Sequence, residues 1–245
     1  YYMAGMTLNV GIKNLKNGTQ LSSIEVPEKL KQRIDTGIDF INDAMGGRGF
    51  TPSVCGLFTG TPGSGKTTMM LQLASSLASK HSSKAVLFNT AEESLYQTKM
   101  QAERLRIDTN FAVGQDIMIN NVLKHANEIG AKFLILDSLQ TLNDGKWGDK
   151  VNSKTPQRVL QMITEWCKEN YTCALVIGQV NKDGKMAGNN VLKHMVDLHL
   201  HMSINQDPKS EWVGFREMEV EKNRFGASGL TYVLQLNERG LQEVA

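Results

Sequence analysis

Eight residues constrain this chain more than any others. Gly60-Thr61-Pro62-Gly63-Ser64-Gly65-Lys66-Thr67 fits the pattern G-x-x-x-x-G-K-[ST] at every fixed position. The apolar run Val54–Thr59 precedes it and predicts a buried strand. Met70, Leu71, Leu73, Ala74, Leu77 and Ala78 follow at helical spacing. Strand, glycine loop and helix together predict a phosphate cradle. Gly60, Gly63 and Gly65 let the backbone turn its N–H groups inward, and the helix amino end adds partial positive charge. The nucleotide-binding candidates are therefore Gly60, Thr61, Pro62, Gly63, Ser64, Gly65, Lys66, Thr67 and Thr68. Lys66 is placed to reach the β- and γ-phosphates of ATP, and the Thr67 hydroxyl to take a Mg2+ position.

The rest of the chain alternates strand and helix. Ala85–Asn89 reads as a strand, Ser94–Arg106 as a helix, Ile117–Ile119 as a short strand, Val122–Ile129 as a helix and Lys132–Leu136 as a strand. A polar link, Asn143–Thr155, leads to a helix with Thr155 as N-cap, Pro156 as first residue, and Val159, Leu160, Ile163 and Trp166 as its buried face. Thr172–Gly178 is a further strand. This rhythm predicts an α/β fold with a mostly parallel central sheet flanked by helices. Leu198–Ser203, Arg216–Glu221 and Thr231–Leu236 then read as strands joined by turns, a C-terminal antiparallel edge. Before the loop, a short helix at Ile38–Met45 is closed by Gly46 and Gly47. Residues 1–32 read as an arm with one weak strand at Met6–Val10, and 33–245 as one ATPase domain.

The 245 residues carry a net charge of +2, so any nucleic-acid contact must come from local patches. Cys55, Cys167 and Cys173 show no C-x-x-C spacing and read as buried free thiols. No run of 18 apolar residues and no signal peptide is present, so a soluble cytoplasmic protein with no membrane partner is expected.

Asp137 ends an apolar strand, where a carboxylate is suited to be the second Mg2+ determinant. Glu92 and Glu93 follow a strand expected to neighbour that of the phosphate loop. A carboxylate there either polarises the attacking water or simply complements a helix amino end. Gln179 ends another strand, as a γ-phosphate sensor or as a polar strand terminus. Two loops at strand carboxyl ends carry cations: Lys146, Lys150 and Lys154, with the aromatic Trp147, in one, and Lys182 and Lys185 in the other. They fit either phosphate contacts with a stacked base or solvated surface. Lys222 and Arg224, two apart on an extended segment, point the same way and suit a phosphate clamp, in cis or from a neighbouring subunit. His199 and His201 read as the surface of an edge strand, with no third metal ligand nearby.

From about Arg33 to Leu236 the chain resembles the ATPase core of the RadA (Sms) DNA-repair family, within the RecA/DnaB-like superfamily. The resemblance rests on Arg33-x-x-Thr-Gly37 with Gly46-Gly47, Gly60–Thr67 as Walker A, and Leu134-Ile-Leu-Asp-Ser-Leu-Gln-Thr141 as Walker B. Ala91-Glu-Glu-Ser94, Lys182–Gly188 with His194-Met-Val-Asp197, and above all Lys222-Asn-Arg-Phe-Gly226 complete it. It implies a RecA-like fold, hydrolysis of ATP with Mg2+, and action on single-stranded DNA in recombination and repair. It also implies Glu92 as catalytic base, Lys222 and Arg224 as residues acting across subunits, and a homo-oligomer, either a hexameric ring or a filament. A recombinase or single-strand-binding protein is implied as a further partner. Gln179 stands where the family commonly has His. The family's four-cysteine zinc finger and Lon-protease-like domain have no counterpart in these residues, as in compact phage-type proteins or a piece of a longer member. An annealing protein that uses ATP only for assembly, and a KaiC-like signalling ATPase, share most of these motifs.

Overall fold

The computed structural model describes residues 17–180 and 190–244. The strand expected at Met6–Val10, and Lys182 and Lys185, lie outside them. Short helices α1 (Glu28–Lys31) and α2 (Asp39–Ala44) lead to β1 (Cys55–Gly60) and α3 (Lys66–Lys80). Then come β2 (Val86–Thr90), α4 (Leu95–Arg104), β3 (Ala112–Gly114), α5 (Ile119–Ile129) and β4 (Phe133–Asp137). A short strand β5 (Lys146–Asp149) precedes α6 (Thr155–Asn170), β6 (Cys173–Gln179) and α7 (Asn190–Met195). Four strands finish the chain: β7 (Leu198–Ile204), β8 (Arg216–Asn223), β9 (Thr231–Asn237) and β10 (Gly240–Glu243).

Nine strands form one sheet in the order β10-β9-β8-β7-β1-β6-β4-β2-β3. The strands from β7 through β3 are parallel, and β8, β9 and β10 extend the sheet antiparallel beyond β7. Side chains alternate between two apolar layers. Phe58, Phe88, Ile135, Leu175 and Ile177 pack in the layer of α3, with Met70, Leu73 and Leu77. Leu57, Leu87, Leu134, Leu136 and Val176 pack in the opposite layer with Val122 of α5 and Val159, Leu160 and Ile163 of α6. Burial on both faces explains why the central strands read as continuous apolar runs. Each such side chain contributes about 1.5–3 kcal/mol.

Local chemistry sets the helix ends. Ser94 and Gln97 make a reciprocal capping box at the start of α4, and Gly130 (φ +69°) closes α5. Gln72 of α3 bonds the backbone N–H of Leu241 at 2.8 Å and its carbonyl at 3.2 Å, fastening β10 to the helix. No helix among the described residues is long and apolar enough to cross a membrane. All three cysteines are buried and free.

Several expectations are corrected. The strand between α4 and α5 is Ala112–Gly114, not Ile117–Ile119. Met118 instead donates its N–H to the Asp116 carboxylate (2.7 Å), and Ile119 begins α5 fully buried. Thr155 is the first residue of α6, with Lys154 as N-cap. The Thr155 hydroxyl faces backward and accepts the N–H of Asn152 at 3.0 Å, rather than an N–H of the helix. β5 lies inside the expected polar link, and β10 is a strand the sequence pattern misses. β2 does not neighbour β1, since β4 and β6 stand between them. β7 is no edge strand: it pairs parallel with β1, and His199 is buried.

Candidate nucleotide site

The phosphate loop bridges β1 and α3 where the sheet's central strands end. Gly63 (φ +75°) and Gly65 (φ +102°) hold left-handed backbone that side-chain-bearing residues rarely adopt. A Cβ on Gly60 would stand 2.2 Å from the Met202 carbonyl, so β7 presses against the loop from behind. Lys66 folds back, its Nζ donating to the carbonyls of Gly60 (2.9 Å) and Thr61 (3.0 Å). Burial lowers its pKa, against the attraction of Asp137 and Glu92. The Ser64 hydroxyl is buried with no hydrogen-bond partner among the described residues. A buried, unpartnered donor, an ammonium held only by carbonyls and the amino end of a 15-residue helix form a donor set that fits a polyphosphate.

Acidic groups face this cradle. Asp137, at the carboxyl end of β4, is 7% exposed and accepts the Thr67 hydroxyl at 2.8 Å. Burial pushes its carboxyl up to about 6, reinforced by Glu92 and Glu93 and opposed by the Thr67 bond and Lys66. A hydroxyl and a carboxylate supply hard oxygen donors, the set Mg2+ prefers. Glu92, in the loop after β2, accepts hydrogen bonds from Ser138 Oγ and Gln179 Nε2 on the same oxygen, Oε1. Glu93 turns away, its Oε2 accepting Gln101 Nε2 at 2.6 Å. Thus β2, three positions from β1, still delivers Glu92 to the site through β4 and β6.

The sequence reading assigns no role to Ser138, Gln140 or the residues around Arg104. Ser138 is fully buried against Glu92, and its place beside Asp137 in the Leu134–Thr141 stretch is the available signal. The Asp137–Ser138 peptide bond is cis. Gln140 clamps Gln179, accepting its N–H at 3.0 Å and donating to its carbonyl at 3.4 Å. Thr68, Arg104, Leu105, Arg106 and the turn Leu236–Glu238 line a cleft of about 500 Å3 beside the start of α3.

Other singled-out residues lie apart from this centre. Lys222 pairs with His199, which in turn pairs with Leu57, three residues before Gly60. At about 3.3 Å per residue it lies roughly 10 Å down the sheet, and Arg224 lies farther. Lys222 donates to the carbonyls of Lys193 (3.0 Å) and His194 (3.3 Å). Arg224 pairs with buried Asp197 at 2.8 Å while its side chain stays 53% exposed. Lys146, Trp147, Lys150 and Lys154 are exposed after the carboxyl end of β4, Trp147 by 58%. Arg158 of α6 pairs with Asp144 of the same loop and holds that carboxyl below its usual range, which offsets one of the loop's negative charges.

Residues 47–185 match the model of a family described as an AAA domain, more than half of the chain. The chain belongs to that family. Among its relatives, the DNA repair protein RadA of Aquifex aeolicus is 34% identical over 215 residues, covering 87% of this chain and 46% of that protein. RadA of Escherichia coli K12 is 30% identical over 245 residues, covering 99% of this chain and 50% of that protein. The chain therefore spans about half the length of the curated relatives it matches, and it is a RadA-like, RecA-superfamily ATPase core. A KaiC-like protein of Pyrococcus horikoshii shares the fold, with a TM-score of 0.72 at 18% identity over 87% of this chain and 99% of that one.

Proposed function

We propose that this RadA-like core is a Mg-ATP-dependent ATPase that binds single-stranded DNA and acts in DNA recombination and repair. One observation carries the reading: Gln179 bonds Glu92 and stands two residues before the segment that bears Lys182 and Lys185. A side chain that contacts the candidate base and begins the candidate DNA loop is suited to relay nucleotide state to DNA.

The roles follow from the chemistry. The phosphate-loop N–H groups and Lys66 bind and orient the β- and γ-phosphates, while Thr67 and Asp137 hold Mg2+. When bound, the ion neutralises charge on the phosphate oxygens. Glu92 takes the proton of the attacking water, with Ser138 and Gln179 fixing its carboxylate. The cleft at Arg104 receives the nucleoside. Lys222 and Arg224 lie too far down the sheet to serve their own chain's phosphates. They instead complete a neighbour's site, which makes the active form a ring or filament. Lys146, Trp147, Lys150 and Lys154, with Lys182 and Lys185, contact the DNA. The names of the RadA relatives support the repair setting.

The test is the ATP hydrolysis rate with and without single-stranded DNA, beside a DNA-binding titration over salt. Stimulated hydrolysis and affinity that falls as salt rises are expected. Absence of binding at low salt refutes the DNA reading and leaves an ATPase of the signalling kind.

A further inference from the structure

Outside the nucleotide site, one cluster stands apart. His199 and His201 project from the same face of β7, two residues apart, and Glu221 comes from the adjacent β8. The register shift between His199 and Leu200 gives β8 one extra residue, Glu221, between the partners of those two. Such bulges re-aim a side chain. One nitrogen of each imidazole and one carboxylate oxygen all lie within 4.8 Å of one another. We propose that His199, His201 and Glu221 form a binding site for a divalent transition metal, with Zn2+ the ion that fits.

The donor set argues for that ion. Two imidazoles and one carboxylate suit Zn2+, Co2+ or Ni2+ and are a poor match for Mg2+, which prefers oxygen. Three protein ligands leave a fourth position open. Ligand atoms about 2.0–2.1 Å from one ion lie roughly 3.4 Å from each other, so the set closes by side-chain rotation, with the His199 ring proton leaving Nδ1 where that nitrogen takes the ion.

The metal-free hydrogen bonds hold the ligands in place. His199 Nδ1 lies 2.7 Å from Glu221 Oε2, so it carries the proton. His199 Nε2 is then bare and accepts the Thr59 hydroxyl at 2.7 Å. Thr59 Oγ1 in turn accepts from His201 Nδ1 at 2.9 Å, which leaves His201 Nε2 with a free lone pair. Every proton is accounted for with both imidazoles neutral, the form that ligates metals. Burial, the largest influence on each, disfavours the charged form of both rings.

Lys193 is the competitor. Its Nζ lies 2.9 Å from the same Glu221 Oε2 that faces His199. A metal ion must displace this ammonium or share the carboxylate with it. Once bound, the ion would tie β8, which carries Lys222 next to Glu221, to β7 and to Thr59, the residue before the phosphate loop.

The test uses the full chain without nucleotide, in excess Mg2+, titrated with Co2+ read by its visible d–d absorption and then displaced by Zn2+. The expected result is one equivalent bound per chain. His201→Ala and Glu221→Gln should each weaken binding by more than about a hundredfold, beyond the loss typical of an outer-shell partner. Lys193→Ala should tighten it, because a competing cation is gone. His199→Ala, at a 1% exposed position, risks misfolding, so the two more accessible ligands carry the test, with folding checked by circular dichroism. Failure to bind one equivalent overturns the site and leaves a hydrogen-bonded network only. Unchanged binding in folded His201→Ala and Glu221→Gln variants overturns it as well.

Discussion

Replacing Asp137 with Asn is expected to make the nucleotide-free protein more stable while it destroys hydrolysis. The Asp137 carboxyl is raised from 3.8 to about 6, chiefly by burial. A carboxyl with a higher pKa folded than unfolded keeps its proton longer in the folded state. Stability is therefore lost as pH rises from 3.8 through about 6, and the full cost persists above that window. A shift of about two units corresponds to about 3 kcal/mol. The shift already includes the opposing pull of Lys66, and Asn keeps an oxygen to accept the Thr67 hydroxyl, so a gain of up to about 3 kcal/mol at neutral pH is the expectation. The assay is urea unfolding of wild type and variant in EDTA, without nucleotide, at about pH 4 and about pH 7.5. The difference between the proteins should be small in acid and favour Asn near neutrality. Adding Mg-ATP should then stabilise wild type more than the variant. A difference that does not change with pH, or a wild type more stable at neutral pH, would refute the claim that burial of this charge is uncompensated.

Glu92→Gln should retain ATP binding and lose turnover by about 10²–10⁴-fold, the usual contribution of a general base; wild-type single-turnover rates would shift that role to Glu93. Arg224→Ala should hydrolyse ATP poorly and also lose about 1–2 kcal/mol of stability, because Asp197 is left buried without its cation; the exposure of Arg224 keeps the loss below that of a fully buried pair. Mixing Arg224→Ala with Lys66→Ala should restore some activity, since each lends the other an intact half-site; co-assembled mixtures that stay dead rule out sharing between subunits. Trp147→Ala should weaken single-stranded DNA binding by about 1–3 kcal/mol with little effect on DNA-free hydrolysis, measured by fluorescence anisotropy. Arg104→Ala should raise the KM for ATP more than it lowers kcat, if that cleft takes the nucleoside.

What could be read from the sequence followed periodicity. Strands buried on both faces announce themselves as apolar runs, and the phosphate loop announces itself through glycines at fixed spacing, so the core and Gly60–Thr67 were legible. The order of strands in the sheet was not, because no local signal in Val86–Thr90 says which strand will lie beside it. That is why Glu92 was expected next to β1 and instead arrives from three positions away. His199 and His201 looked like edge surface for a related reason. Alternation shows which residues share a face, but not that β1 and β8 will close around them. Ser138 and Gln140 carry no motif of their own, and their part depends on Glu92 and Gln179 converging from distant segments.

That convergence has a consequence for how the protein comes into being. The contacts that define the nucleotide site span 70 residues between Thr67 and Asp137, 46 between Glu92 and Ser138, and 87 between Glu92 and Gln179. Each closes a long loop of chain before it returns any stabilisation, and contacts of such separation form late. During synthesis the phosphate loop emerges long before Gln179, so a nascent chain that has just completed β1 and α3 has a cradle but no opposing acids. In the proposed reading, full affinity for Mg-nucleotide arrives only once β6 has been inserted between β1 and β4. A nucleotide bound there would act as a check on the completed sheet, stabilising finished molecules selectively over partly assembled ones.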